Sequence, residues 1–387
     1  LFDGGRLFVG AMGVLYFLSF GLQTEDYAWI KTTQALVFIG LDIPLGYFLN
    51  KLGEYKSMLL SLFFGIIGSL GYLLWTSFHG FLISEVFLAL SLSTWPIALS
   101  AYSMRILEEY KTTGLVEKFF HLGDSISNVF VLVCGALGGL LYAYNKSIPY
   151  SCFLISYLFA MGFAVFYLKN IAVQKTEKGK LFPLIFSNLK EIKPVLSVVL
   201  ILFLAQFLMQ PLFHYWQPLF REKFNASSEE MSLIFIAYSL SMSTVSWSYS
   251  HFTHLSRLRS NVFIVFAAIS GGMIYSLISQ ASSFHYALIF FALTFAIFNL
   301  VQIASSVLIQ HKLNPTNRMI LTKYVSFISR IGMILSLLLL HQLFANEWST
   351  AQIYVCYGVL AILSFSFYLI GVYIQKKETE KTLSIPQ

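Results

Sequence analysis

Asp42-Ile43-Pro44-Leu45-Gly46-Tyr47-Phe48-Leu49-Asn50-Lys51-Leu52-Gly53-Glu54-Tyr55-Lys56-Ser57 joins two long apolar runs. The chain must reverse tightly here, and glycine is the residue that tolerates the positive φ such a reversal needs. Lys51 and Lys56 flank the turn and hold it on one side of a membrane, because lysine and arginine gather in cytoplasmic loops.

The rest of the chain has the same character. Its 387 residues are 57% hydrophobic and 11% charged, with a mean hydropathy of +0.72. Soluble domains carry about 25% charged residues, and about 20 apolar residues cross a bilayer once. The composition therefore excludes a soluble domain. It also excludes a nucleic-acid binder despite the net charge of +7, since the excess lysine and arginine work as a topology signal. Apolar windows fall at 7–22, 28–49, 57–75, 80–104, 119–143, 148–168, 195–219, 231–250, 260–279, 285–309, 320–343 and 350–374. They are continuous rather than alternating, so they predict helices and not barrel strands. With both termini cytoplasmic, twelve spans put twenty lysines and arginines on the inner side and only Lys31, Lys146, Arg221 and Lys223 on the outer one, leaving Arg330 within a span. A wrong register would not separate them so cleanly.

The longest polar stretch, Lys169 to Lys193, divides the chain. It predicts an N-terminal six-helix bundle over 1–168, a cytoplasmic linker over 169–194, a second bundle over 195–375 and a cytoplasmic tail over 376–387. Leu181 to Lys190 mixes large apolar residues with lysines, and reads either as an interfacial helix or as a solvated linker. At an offset of 203 residues, Leu52-Gly53-Glu54-Tyr55-Lys56-Ser57 falls on Leu255-Ser256-Arg257-Leu258-Arg259-Ser260, a trace of internal duplication. Cys134, Cys152 and Cys356 are widely spaced and imply no disulfide or metal site. There is no H-E-x-x-H, G-x-S-x-G or phosphate loop, so no enzyme is expected.

The stretch from Asp42 to Ser57 resembles the signature loop between helices two and three of the major facilitator superfamily. Gly46 and Gly53 match the family glycines and Lys51 and Lys56 its basic positions, while Asn50 replaces the usual aspartate. Cys134-Gly135-Ala136-Leu137-Gly138-Gly139 resembles a degenerate form of a glycine motif associated with exporters, and reads equally as close helix packing. The resemblance implies an all-α membrane protein with two six-helix bundles around a central cavity, working by alternating access. In that fold helices two and eleven face each other. Asp42, placed one turn before the loop, and Arg330 then form a cytoplasmic gate with Gly46, Lys51, Gly53 and Lys56; ion pairs within each half, or a snorkelling Arg330, are the alternatives.

Ionisable residues inside spans mark proton or solute sites, or structural pairs. Asp124 shares one helical face with His121 and Asn128 and either carries a proton or answers Lys118. Glu85 and His214 are the other proton-coupling candidates. Gln206, Gln210, His214 and Gln217, at steps of four, four and three, form a polar stripe on helix seven. The family plan puts helices one, four, seven and ten around the cavity, which adds Tyr16, Trp95, Tyr102, Asn299 and Gln302 as solute-binding candidates. His214 and Arg330 suit an anionic metabolite or a carboxylate-type siderophore. The alternatives are efflux of amphipathic drugs and a receptor or scaffold without flux. The expected partners are a small solute and the lipid bilayer, with no nucleic acid. No cofactor is expected beyond the proton gradient as energy source, and the resemblance implies a monomer in a bacterial inner membrane. If Asp42 and Arg330 pair, charge reversal at either one abolishes solute flux in vesicles and reversal of both restores it; a double variant that stays dead rejects the pair.

Overall fold

A computed structural model describes residues 2–109, 116–168, 196–252, 261–312 and 318–383. These residues form fourteen helices: α1 (Phe2–Leu7), α2 (Gly13–Leu18), α3 (Thr24–Leu52), α4 (Glu54–Leu74), α5 (Phe78–Glu109), α6 (Val116–Tyr144), α7 (Ile148–Tyr167), α8 (Leu196–His214), α9 (Trp216–Phe224), α10 (Ser228–Phe252), α11 (Asn261–Ile278), α12 (Phe284–Lys312), α13 (Arg318–Ala345) and α14 (Thr350–Leu383). Seven of them contain stretches long and apolar enough to cross a membrane by length and composition. The expected linker falls outside the described residues, and the expected tail continues α14 as helix through Leu383.

Local chemistry sets the helix starts. Three of them at the charge-poor end carry reciprocal caps, in which two backbone donors left over by helix geometry are satisfied by side chains three residues apart. At α3 the Gln23 N–H donates to Asp26 (2.9 Å), and at α10 the Ser227 N–H donates to Glu230 (2.7 Å) while the Glu230 N–H donates to Ser227 (3.2 Å). At α14, Ser349 and Gln352 do the same (2.8 and 3.3 Å). The quoted loop is shorter than its sequence suggests. Gly53 alone, at φ +86°, separates α3 from α4, which is the positive φ the reversal requires. Because α3 runs on to Leu52, Asp42 lies about three turns before Gly53 rather than one.

Fourteen helices correspond to twelve predicted spans because the first and seventh are each broken. The first stops at Leu7, passes through tight turns (Gly10 N–H to Leu7 carbonyl, 2.9 Å; Met12 N–H to Val9 carbonyl, 3.2 Å) and restarts at Gly13. The seventh stops at His214 and restarts at Trp216. Hydropathy windows register apolar content and not hydrogen bonding, so neither break shows in them.

The chain forms two compact units: Leu1–Phe186 with Asn225–Ile236, and Ser187–Phe224 with Ala237–Gln387. In the first, α1 packs on α6 and α7, and α4 on α5 and α7; in the second, α8 packs on α13 and α14, and α11 on α12 and α14. These are the same pairings displaced by about 203 residues. The second segments of the broken spans start at Gly13 and Trp216, 203 apart, and the third and fifth spans of each half keep step with them.

The glycines of α6 are contact points. A Cβ on Gly138 would run into the Phe8 carbonyl in the α1–α2 turn, one on Gly135 into the Phe235 ring, and one on Gly139 into the Ser232 hydroxyl. The glycine run is therefore explained by packing, the second of its two readings. Gly138→Ala should cost about 1–3 kcal/mol by overpacking against backbone that cannot yield. Gly162, which has nothing within 4 Å of an added Cβ, should accept alanine with little change. Thermal unfolding in detergent, followed by tryptophan fluorescence, checks both, and equal melting of the two variants would refute the packing account.

Candidate functional site

The first unit buries an ion pair. Glu85, in the second turn of α5, is fully buried and accepts from the Lys31 ammonium of α3, itself 15% exposed. Both residues lie about two turns from the charge-poor ends of their helices. The other Glu85 oxygen makes no hydrogen bond of ordinary geometry, with the Tyr72 phenol near it. Lys31 also sits 5.5 Å from the Tyr27 ring centre. A buried pair of this kind is costly to desolvate, and removing either partner strands the other charge. Sequence reasoning only counted Lys31 on the outer side and so missed the partner of Glu85, because the two lie 54 residues apart.

Tyr16 belongs to the same region. It is fully buried, stacks on Tyr150 (3.8 Å between centroids) and donates to the Tyr72 carbonyl near the end of α4 (2.9 Å). The structure places it in the packed interior of the first unit. Trp95 is half-buried and stacked on Phe2 at 4.3 Å, and Tyr102 is buried in a cluster with Met58 and Ala98. At α1, Asp3 accepts from the Ser127 hydroxyl of α6 (3.3 Å). Asp3 and Arg6, both half-buried, are charged residues that the predicted first span, starting at residue 7, left outside the membrane. The clue was Gly4 and Gly5, which let α1 approach Phe130 of α6 and Ser156 of α7.

The second unit gathers neutral polar groups. Gln302 of α12 donates to the Met209 sulfur of α8 (2.9 Å), one residue from Gln210. Asn299 donates to the Met242 carbonyl (3.0 Å) and to the Ser246 hydroxyl (3.2 Å) of α10. Gln210 is buried and donates to the Gln206 carbonyl of its own helix (2.8 Å), whereas Gln206 and His214 are half-buried. The predicted stripe does not continue to Gln217. The break at Tyr215 puts Gln217 in α9, where it is buried in a different helical register. Sequence reasoning placed a span at α10 but named none of its hydroxyls: Ser243, Thr244 and Ser246 are exposed and bond back to carbonyls of their own helix. Such bonding lets hydroxyls sit within an apolar span.

Of the expected gating residues, Gly53 makes the turn and Lys56 is exposed beside it. Arg330 is half-buried in α13. The helices carrying Asp42, Gly46, Lys51 and Asp124 are described, but those residues' side chains lie outside the described ones, as do His121 and Asn128.

A helical membrane chain whose two units repeat the same helix pairings, each with a broken first helix, has the form of a secondary transporter. The sequence profile of the Major Facilitator Superfamily matches residues 3–337, and the chain belongs to that family. It is therefore a non-enzymatic, multi-pass membrane transporter of a small solute. The crystal structure of the nucleoside transporter NupG superposes with a TM-score of 0.75, covering 95% of this chain and 96% of that one at 11% identity. A mutant of NupG superposes equally well, covering 97% of its chain. No curated protein matches in sequence.

Removing one partner of the Lys31–Glu85 pair by Glu85→Gln should destabilise the protein by about 3–5 kcal/mol, and replacing both by methionine should recover most of that loss. Melting temperatures of the single and double variants decide this; a double variant as unstable as the single one would show that the pair is not the source.

Proposed function

We propose that the protein moves a small polar organic solute by alternating access and is driven by protons. In this reading it works as a monomer in a bacterial inner membrane with both termini cytoplasmic. The observation that carries proton coupling is the Lys31–Glu85 pair. Protonating Glu85 neutralises the buried carboxylate and releases Lys31, so one proton changes how α3 and α5 hold together. His214 and Asp124 are the further proton carriers of the scheme, since histidine titrates near neutrality. Recognition falls to Gln206, His214, Asn299 and Gln302 in the second unit.

His214 and Arg330 favour an anionic metabolite or carboxylate-type siderophore. A second reading has its own support. The groups gathered by α8, α10 and α12 are amides and hydroxyls, which suit the donor and acceptor edge of a neutral heterocycle, and NupG is a nucleoside transporter.

Proteoliposomes loaded with a pH dye and challenged with carboxylates, metal chelates, nucleosides and amphipathic drugs separate these readings. A solute-dependent proton movement that is lost in Glu85→Gln and weakened in His214→Ala is the expected result. Uptake of labelled solute without proton movement would reject coupling, and binding without either flux would reject transport.

A further inference from the structure

Asn299 of α12 is buried, at 8% exposure, and its amide nitrogen donates to both the Met242 carbonyl (3.0 Å) and the Ser246 hydroxyl (3.2 Å) of α10, which uses both of its N–H groups. The amide cannot be reversed, because a backbone carbonyl only accepts and the nitrogen must therefore face Met242. What Asn299 offers to anything else is Oδ1, an acceptor. Its neighbours repeat the pattern. The Ser246 hydroxyl gives its own hydrogen to the Met242 carbonyl (3.0 Å), and Ser243, exposed on the same helix, gives its hydrogen to the Ser239 carbonyl (2.9 Å). One turn along α12, Gln302 gives an N–H to the Met209 sulfur, which likewise only accepts. The polar surface where Asn299 meets α10 is thus one of oxygen lone pairs.

A carboxylate brings only acceptors to such a surface and gains nothing there. An organic cation would bring donors but find no counter-charge: α8 and α12 carry no Asp or Glu, and the acids of α10, Glu229 and Glu230, sit in its first turn. Uncompensated charge within a span is costly. A neutral solute with O–H groups meets neither obstacle. Four residues before Met242, the half-buried Tyr238 stacks on Phe295, itself four residues before Asn299, at 4.6 Å between centroids. An aromatic face one helical turn from the amide suits the C–H face of a ring. We propose that Asn299 is a specificity-determining acceptor, selecting a neutral polyhydroxylated ring as the solute and turning away carboxylates. Asn299 has this part only if the second unit recognises the solute, as proposed above.

The full chain is reconstituted in phosphatidylcholine nanodiscs, which avoid sugar-headed detergent, and tritiated ribose, glucose and myo-inositol serve as probes in a scintillation proximity assay. At least one neutral probe should bind. Glucuronate and per-O-methylglucose should compete poorly, each hydrogen bond they forgo weakening binding by about two- to tenfold. Asn299→Leu and Asn299→Asp both break the N–H bridge to α10, but only leucine removes the acceptor. Asn299→Leu should therefore weaken the neutral probe by about two- to tenfold, and Asn299→Asp should retain it. Equal weakening by the two variants overturns the acceptor role in favour of a structural one. Glucuronate that competes as well as glucose, or a protein that binds none of the neutral probes, overturns the solute class. Uptake into proteoliposomes separates this from the transport reading: a neutral probe bound but not carried rejects transport and leaves the role of Asn299 standing, whereas glucuronate carried in place of the neutral probes keeps transport and rejects that role.

Discussion

A helix that stops inside a membrane leaves N–H and C=O groups with no water to satisfy them, so a broken span is tolerated only where protein supplies the partners. This chain breaks two spans, and much of its packing serves those breaks. At the first, i to i+3 turns satisfy the backbone from Gly5 to Met12, and Gly138 lets α6 lie directly on the Phe8 carbonyl. At the second, the Tyr215 N–H donates to the Pro211 carbonyl (2.8 Å), and the same carbonyl accepts from the Tyr354 hydroxyl of α14 (3.1 Å). Beyond each break, the short second segment is fastened to its own unit. Lys146 reaches the Ser19 carbonyl (3.4 Å) and lies 3.8 Å from the Phe20 ring centre, and Thr350 donates to Glu222 (3.1 Å) while Lys223 donates to the Ser279 carbonyl.

The two units share this plan with little shared sequence. At an offset of 203, Phe17 falls on Phe220, Gly68 on Gly271, Tyr72 on Tyr275 and Phe81 on Phe284. These are packing residues: Tyr72 and Tyr275 are buried, and Phe81 is fully so. The buried ion pair and the interhelical amides do not repeat. Lys31 and Glu85 fall on Ile234 and Leu288, and Asn299 and Gln302 fall on Pro96 and Leu99. The frame was retained while the chemistry of the halves diverged, as expected if packing constrains each half alike and function constrains each separately.

That division also explains what could be read from the sequence. The apolar helices and the Gly53 turn were legible, because burial in lipid and a positive φ each demand particular residue types over a short stretch. The first break was not, since Leu7 to Gly13 is as apolar as a helix interior, whereas the second lies between Pro211 and Pro218, residues that kink or end helices. Tyr16 and Gln217 show the consequence. A helical wheel drawn through residue 215 carries Gln217 onto the face of Gln206, although the chain changes register in between, and Tyr16 read as lining because Tyr72 and Tyr150, which hold it, lie 56 and 134 residues away. Glu85 stood out as an acid in a span, yet its partner is Lys31, which a charge count had only placed on the outer side.

The Lys31–Glu85 pair lies in the first unit and the amides of Asn299 and Gln302 in the second, so under the proposed function proton and solute would be handled by different units. On that reading Glu85, buried where α3 packs on α5, need not touch the solute. In such a protein coupling has to be conformational: the protonated and unprotonated pair must prefer different arrangements of α3 and α5, and the solute must bind those arrangements with different affinity. Buried ion pairs serve this purpose well. In a low-dielectric setting, neutralising one partner changes the energy of the helix contact far more than the same step would in water, so a single proton can bias a helix pair that apolar packing alone would hold indifferently.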